Sequence, residues 1–288
     1  NISEMSDVTS DKMAIYQSEL LQKVHFQERV ANTKWVVLRW PTSSMAQQAN
    51  MSTEAFEKFY FDVCCLDYKK MDEAMKPLEK LMTDAEKVHI KGPGTDLKVG
   101  LADDHEWMGG ASQAQNGVIC NPNIPSEEVF TTPHYLRVEG HVSSTKPLSH
   151  QGSLIDEIRV VFKEGAIVDA KASKGEKIFQ KVLESDDGAR RLGEVALVPD
   201  SSPISQSGLL FYNTLFDENA ACHIALGQCY SKCFKSQKNL SQEEIKSKGG
   251  NSSMIHIDWM IGSKEIDIDG LSQDGEITPI FRKGEWCV

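Results

Sequence analysis

The chain has 288 residues, 40% apolar and 25% charged, a balance typical of a soluble globular protein rather than a disordered or fibrous one. Its 31 Lys and Arg against 42 Asp and Glu give a formal charge of −11, which would repel phosphate backbones and anionic lipids, so we expect no nucleic acid and no membrane partner. Seven cysteines without a short regular framework, a polar N-terminus and the lack of a bilayer-length apolar run favour the cytoplasm.

The N-terminal part is predicted to alternate helices with one strand. Apolar positions recurring through 11–31 predict a helix, and WVVLRWP at 35–41 predicts a short strand. Ser52 is a candidate N-cap for a second helix. A third helix is expected over about 70–86, kinked or divided by Pro77.

One strand cannot make a sheet, so the partners of 35–41 are expected outside this sequence. The lack of an initiator Met agrees with a chain that begins partway through a longer protein. We therefore predict an α+β fold, in which residues 1–87 are the remainder of an α/β domain truncated at its N-terminus. Residues 88–288 are then a strand-rich, mixed α/β, metal-binding catalytic domain.

Strands and turns are predicted for most of the chain after residue 87. Two alternating segments flank the turn at 92–94 and predict a hairpin, and VVFKEGAIVDAKA predicts another with its turn at 164–165. A short helix is expected over 175–189 and a longer one over 217–233. MIHIDWMIG, EIDIDG and a terminal pair around ITPIFRKGEW are predicted to be the last strands.

His256 and Asp258 are two residues apart in MIHIDWM, so on a strand their side chains project from the same face. Imidazole and carboxylate are the ligand pair expected around zinc, cobalt or manganese. An isolated His-x-Asp is more often the polar face of a half-exposed edge strand. Both interpretations stay open on these residues alone.

His223 and Tyr230 are seven residues apart, about two turns of the predicted helix, which would set both over one face. Tyr230 could ligate a metal or stabilise an oxyanion, although such a pair is more often packed in a core. Glu218 falls in the first turn, where the helix dipole favours a carboxylate even without catalysis. Three cysteines lack the close-spaced pairs of a structural zinc site and are interpreted as helix packing: Cys222, Cys229 and Cys233.

Two glutamates are further candidates. Glu194 interrupts an apolar strand in RLGEVALVP, so its carboxylate either faces solvent or enters a polar site such as a metal centre. Glu128, in IPSEEVFTTP, could equally be an acidic residue of an exposed loop. Chemistry alone does not rank it above Glu127.

Several segments together closely resemble the thermophilic metallo-aminopeptidase family typified by aminopeptidases T and S: SEEVFTTPH, STKPL, GARRLGEVALVPDSSPISQSGLLFYNTLFDENAACHIALG and HIDWMIGSKEIDIDG. The resemblance runs from about residue 30 to the C-terminus and marks this chain as a C-terminal portion. It implies six metal ligands: Glu128, Glu194, His223, Tyr230, His256 and Asp258. It also implies that Glu218 is a site acid, which touches metal or substrate, and that Tyr230 takes part in catalysis.

By this resemblance, the expected function is a two-metal aminopeptidase that hydrolyses the N-terminal bond of peptides through a metal-activated water. The expected ions are two of zinc, cobalt, manganese or magnesium, and the full-length protein is expected to be a homodimer. One carboxylate must bridge the ions, and Glu194 and Asp258 are both candidates because each lies on a predicted strand. The alternatives are a metal-independent glycoside hydrolase using Glu128 and Glu194, and a non-catalytic metal-binding module.

Overall fold

Helices form most of the structure before residue 87, and strands are the main regular structure afterwards. The computed structural model describes residues 7–9, 12, 15–30, 32–114, 116–150, 152–235 and 240–287. The helices are α1 (Tyr16–Val30), α2 (Ser43–Gln48), α3 (Thr53–Cys64), α4 (Tyr68–Met82), α5 (Glu176–Leu183), α6 (Pro203–Gln206), α7 (Thr214–Asp217) and α8 (Gln242–Ser247). The predicted α+β fold class is confirmed.

The strands belong to two main antiparallel sheets and two small two-stranded ones. Their bounds are β1 (Lys87–Gly92), β2 (Thr95–Leu101), β3 (Ser112–Gln113), β4 (Ile119–Cys120), β5 (Val129–Thr131), β6 (Pro133–Ser143), β7 (Leu148–His150), β8 (Ser153–Ile155), β9 (Arg159–Lys163), β10 (Ala166–Lys171), β11 (Leu192–Leu197), β12 (His223–Gly227), β13 (His256–Met260), β14 (Asp267–Leu271), β15 (Ile277–Arg282) and β16 (Glu285–Trp286).

The three N-terminal helices predicted from the sequence are confirmed. α1, which has the hydrogen-bond pattern of a π-helix, occupies most of the segment predicted at 11–31, of which residues 11, 13, 14 and 31 lie outside the described part of the chain. α3 begins after Ser52, whose hydroxyl accepts a backbone N–H from the first turn, and it buries Phe56 and Tyr60. α4 contains Pro77 within its length.

The strand predicted at 35–41 is wrong. Val37 alone forms a parallel bridge, to Asn123. Its N–H donates to the Pro122 carbonyl at 2.6 Å, and its own carbonyl accepts from the Ile124 N–H at 3.1 Å. Since no neighbouring residue of the segment continues this pairing within the described chain, the backbone is extended but is not part of a ladder.

An eight-stranded sheet carries the main core, in the order β10, β9, β6, β2, β1, β14, β15, β16. The predicted hairpins at 92–94 and 164–165 are confirmed as β1–β2 and β9–β10. The last predicted strands are confirmed as β13, β14 and the pair β15–β16. α5 and a 3₁₀ turn at Asp187–Arg190 occupy the short helical segment predicted over 175–189.

A second core joins the N-terminal helices to a later part of the chain. Phe56 and Tyr60 of α3 are buried against Phe211 and Phe216, and the rings of Tyr60 and Phe216 lie 5.8 Å apart. Residues before and after position 87 therefore share one apolar cluster. The domain boundary between 87 and 88 stays a prediction.

The long helix predicted over 217–233 is wrong. After α7 the chain makes a 3₁₀ turn at Glu218–Ala220 and then enters β12, the strand that lies between β11 and β13 in a four-stranded sheet. All five residues of β12 are buried, so the segment shows a continuous apolar run that does not distinguish a buried strand from a buried helix. Pairing with β11 and β13 makes this segment a strand. The three cysteines predicted to pack within the helix are buried, but no long helix of the described chain holds them.

Position 165, in the turn between β9 and β10, is expected to be occupied without strain only by glycine. Gly165 has a φ of +76°, and a Cβ there would lie 1.9 Å from the Tyr135 carbonyl oxygen. Gly275 has a similar φ of +81° but open space around it, so it is the matched control. We expect Gly275→Ala to lower the free energy of unfolding by about 1 kcal/mol from backbone strain, and Gly165→Ala by about 2–4 kcal/mol because overpacking adds to that strain.

Urea denaturation of both variants and the wild type measures the difference. Equal losses in the two variants would show that contact with Tyr135 contributes nothing.

Candidate metal centre

Three neighbouring strands place two of the predicted ligands in one row across the sheet. Glu194 of β11 lies opposite Ala225 of β12, and Ala225 lies opposite Asp258 of β13. Directly opposed residues point to the same face of an antiparallel sheet. The methyl group of Ala225 therefore forms the floor between the two carboxylates.

The two histidines stand on the same face as this row. His223 and Ala225 are two residues apart on β12, and His256 and Asp258 are two residues apart on β13, so the side chains of each pair point to the same face. Ile257 and Trp259 point to the opposite face and are buried in the main core. The predicted common face of His256 and Asp258 is therefore found in the structure, with His256 Nε2 3.4 Å from Asp258 Oδ1.

Glu128 and Tyr230 approach the same face from connecting segments. Glu128 immediately precedes β5, and its Oε2 lies 3.1 Å from His223 Nε2. Tyr230 lies beyond the end of β12 rather than on a helix with His223, and its ring centroid is 4.7 Å from that of His256. The structure thus brings together all six residues that the sequence predicted as ligands.

Five of these side chains form two sets of three that share one member. The first set contains Glu128, Glu194 and His223, and the second contains Glu194, His256 and Asp258. Within each set, one ligand atom from every residue lies within 4.8 Å of the others. Glu194 is the shared carboxylate, whereas Asp258 belongs to one set and Glu127 to neither.

Backbone carbonyls orient both imidazoles. The Nδ1–H of His256 donates to the Gln228 carbonyl at 2.7 Å, and the Nδ1–H of His223 donates to the Ala221 carbonyl at 3.1 Å. A carbonyl oxygen can only accept, so Nδ1 carries the proton and each Nε2 points into the carboxylate cluster. This arrangement is typical of histidines that ligate a metal through Nε2.

The cluster fits a cation. Glu128, Glu194, His223 and Asp258 are each between 1% and 7% exposed, so solvent compensates little of their charge. His256 Nε2 is buried 3.1 Å from Glu194 Oε2, yet it makes no hydrogen bond to any described residue. A ligand atom that is buried, oriented and unsatisfied in this way is what a metal centre requires.

The pKa values show the charge balance of the site. Burial by itself lowers the pKa of His223, but Glu128 and the other carboxylates outweigh it and raise that pKa to about 10. The same balance raises the pKa of His256 well above its usual range, mainly through Asp258 and Glu194. Burial raises the pKa of Glu194, although His256 opposes the shift. The carboxylates therefore attract protons or cations strongly into this pocket.

Glu218 stands beside the cluster, in the 3₁₀ turn that replaces the predicted helix. It lines a small cavity together with Asp258, Leu148 and Met260. Burial, followed by the charges of Glu128 and Asp258, raises the pKa of Glu218 well above its usual range. A carboxyl group beside a site of this kind, with its pKa raised by its surroundings, is a candidate for proton exchange.

Comparison with known proteins identifies the family. Residues 1–286 match the model of the thermophilic metalloprotease family M29. The chain belongs to this family. The resemblance to aminopeptidases T and S that was drawn from the sequence motifs is thereby confirmed.

Three relatives of this M29 chain illustrate the match. Aminopeptidase T of Thermus thermophilus is 53% identical over 201 residues, which cover 70% of this chain and 49% of that protein. Aminopeptidase AmpS of Bacillus subtilis is 50% identical over 200 residues, covering 69% and 49%. The solved structure of wild-type AmpT from Thermus thermophilus matches 100% of this chain and 74% of its own, with a TM-score of 0.90 and 38% identity. The matched segments span about half the length of these curated relatives.

A buried asparagine that the sequence motifs did not mark as functional lies beside the M29 site. Asn219 is fully buried; its Oδ1 accepts the Glu127 N–H at 2.6 Å, and its Nδ2 donates to the Leu215 carbonyl at 3.0 Å. It thereby ties the turn that bears Glu218 to the loop that bears Glu128. In the sequence, only its position directly after Glu218 could have indicated that Asn219 lies near the site.

Asn219→Ala is expected to lower the free energy of unfolding by about 2 kcal/mol, because it removes the side-chain partners of a half-buried N–H and a half-buried carbonyl. Asn116→Ala is the matched control, since its side chain makes a similar bond, to the Val118 N–H, at an exposed position. Denaturant unfolding of the metal-free proteins compares the two. A loss below about 0.5 kcal/mol at Asn219, the range of ordinary surface substitutions, would contradict this structural role.

Proposed function

We propose that this chain carries the centre of a two-metal aminopeptidase, which hydrolyses the N-terminal peptide bond of peptides. The observation that carries the proposal is the pair of ligand sets sharing Glu194. Membership of a metalloprotease family supports the use of divalent metal, and relatives named as aminopeptidases support the substrate class. The substrate would be a peptide with a free N-terminus.

Each ligand set is proposed to hold one ion, and Glu194 is proposed to bridge the two. It is favoured over Asp258 because it alone belongs to both sets. Tyr230, whose ring packs on His256, is proposed as the sixth ligand. Carboxylate, imidazole and phenol oxygen or nitrogen donors suit zinc, cobalt or manganese, with magnesium as a further candidate.

When bound, such ions supply Lewis acidity that polarises the scissile carbonyl and lowers the pKa of water. Glu218 is proposed to accept a proton from the attacking water and to return it to the leaving amine, or to anchor the substrate amine. Burial and the surrounding carboxylates raise the pKa of Tyr230 well above its usual range. Its neutral O–H could therefore also donate a hydrogen bond to a developing oxyanion.

A metal-independent glycoside hydrolase is not favoured. Each of its two proposed carboxylates, Glu128 and Glu194, lies 3.1 Å from an imidazole nitrogen, and the family is one of metalloproteases. A non-catalytic metal-binding module remains the second candidate, because the matched segments cover about half of the curated relatives. Turnover of an aminoacyl chromogenic amide by the metal-loaded chain distinguishes these functions.

We further propose that the protein is cytoplasmic and that it forms a homodimer when full length. All seven cysteines are free, which agrees with a reducing compartment. Across the described part of the chain, no helix has both the length and the apolar character needed to cross a bilayer.

Metal loading is expected to give two ions per chain, and single substitutions should remove them unequally. Glu194→Ala should lower the stoichiometry towards zero because both sets lose a ligand. His223→Ala and His256→Ala should each weaken the binding of one ion, while the other ion stays bound. Elemental analysis and calorimetry with zinc or cobalt measure these numbers.

Glu265→Ala, at an exposed glutamate, is the control and should still bind two ions. A stoichiometry near zero in the folded wild type would disprove the centre. One ion retained in Glu194→Ala would argue that Asp258 is the bridging ligand instead.

Glu218→Gln is expected to keep both ions but to reduce kcat by about 10²–10⁴-fold, the usual contribution of a general acid–base group. Hydrolysis of a leucine chromogenic amide by the metal-loaded protein provides the rate, and Glu265→Gln provides the matched control. Wild-type turnover in Glu218→Gln would rule out the proposed proton transfer. Loss of metal in that variant would instead identify Glu218 as a ligand.

A further inference from the structure

We infer that Asn251 is a positioning residue of the metal centre, which fixes the backbone carbonyl that orients His256. The inference rests on the proposed metal-binding function of the site. Asn251 itself lies in the loop before β13 and is not among the six predicted ligands.

The Asn251 side chain joins its own loop to two other segments, the turn at 187–191 and the end of β12. It is 4% exposed, and its Nδ2 donates to the carbonyls of Gly227 at 2.7 Å, Gly188 at 2.8 Å and Arg191 at 3.3 Å. All three partners can only accept, so the amide nitrogen must face them. A buried amide with this many partners holds its surroundings in one arrangement.

Two of its contacts enclose Gln228. The Asn251 side chain holds the Gly227 carbonyl on one side of Gln228, and the Asn251 backbone carbonyl accepts the Cys229 N–H at 3.1 Å on the other. Since both flanking peptide groups are held, the orientation of the Gln228 carbonyl is held as well. That carbonyl accepts the His256 Nδ1–H at 2.7 Å.

The same carbonyl packs tightly against β11. A Cβ at Gly193 would lie 2.4 Å from the Gln228 oxygen, and the pairing of β11 with β12 shifts register between Leu192 and Glu194. The Gln228 carbonyl therefore occupies space beside the residue that precedes Glu194. A displacement of Gln228 would move the acceptor for His256 and would press on the strand that carries the shared carboxylate.

Asp186, which precedes the 3₁₀ turn at Asp187–Arg190, contacts the same loop and provides a contrast. Its carboxylate accepts the Ser253 hydroxyl at 2.8 Å, the Met254 N–H at 2.6 Å and the Ala189 N–H at 2.9 Å. The bonds to Ser253 and Met254 anchor the loop and involve neither Gly227 nor Cys229. The Ser253 N–H in turn donates to the side-chain oxygen of Gln228 at 3.1 Å, not to its backbone. Asp186→Ala thus removes comparable hydrogen bonds and separates loop stability from positioning of the histidine.

The test compares Asn251→Ala, Asp186→Ala and the wild type in the full chain. Zinc affinity is measured by calorimetry, the cobalt complex by its visible absorption spectrum, and the stability of metal-free protein by urea unfolding. We expect both variants to be less stable. Asn251→Ala alone should lose about tenfold or more in zinc affinity and change its cobalt spectrum, as loss of support behind a ligating histidine does.

Zinc affinity of Asn251→Ala within about twofold of wild type, with an unchanged cobalt spectrum, would overturn the inference. An equal loss of affinity in Asp186→Ala would also overturn it, because general loop stability would then explain the effect. If Asn251→Ala does not fold, Asn251→Ser carries the same comparison with a smaller polar side chain. Failure of the wild type to bind zinc or cobalt would instead contradict the proposed function.

Discussion

The burial of several carboxylates in one small volume is the constraint on which the site depends. Glu194 lies within reach of both Glu128 and Asp258, where solvent is nearly excluded. Each anion makes the others more costly, so the folded chain needs compensating positive charge at this place. Protons on the two histidines can supply it in the absence of metal, and divalent ions can replace those protons.

The smaller sheet converts this constraint into a defined geometry. Alternation along the strands sends the ionisable side chains to one face and the apolar ones, such as Trp259, to the core on the other. Small residues lie where bulk would fill the site: Ala225 separates Glu194 from Asp258, and Gly227 lies opposite His256. Four of the six candidate ligands therefore stand on packed strands, which limits their movement more than loops would.

The turn that bears Glu218 packs against a different apolar cluster from the strands of the smaller sheet. Phe216 and Ala220 flank Glu218 in sequence, and both belong to the apolar cluster that includes Phe56 and Tyr60 of α3. Packing of the N-terminal helices thus holds the position of Glu218, whereas the main core holds the ligand strands. Asn219 joins the two parts by bonding to the loop before Glu128. The packing of the N-terminal helices and the position of Glu218 are therefore linked.

The sequence by itself determined the local patterns and, through its motifs, the family. Period-two alternation correctly placed His256 and Asp258 on one face, turn residues located the hairpins, and the motifs named the six residues that converge. The helix predicted at 217–233 was wrong because strand pairing on both sides of β12 outweighs a local pattern compatible with either state. Chemistry at the level of single residues did not rank Glu128 above Glu127, whereas in the tertiary structure Glu128 alone of the two belongs to a ligand set. The contacts of Asn219 and Asn251 were also visible only in the tertiary structure. Their hydrogen bonds, to Glu127 for Asn219 and to Gly188 and Gly227 for Asn251, join segments far apart in the chain, and such contacts depend on long-range packing that no local spacing records.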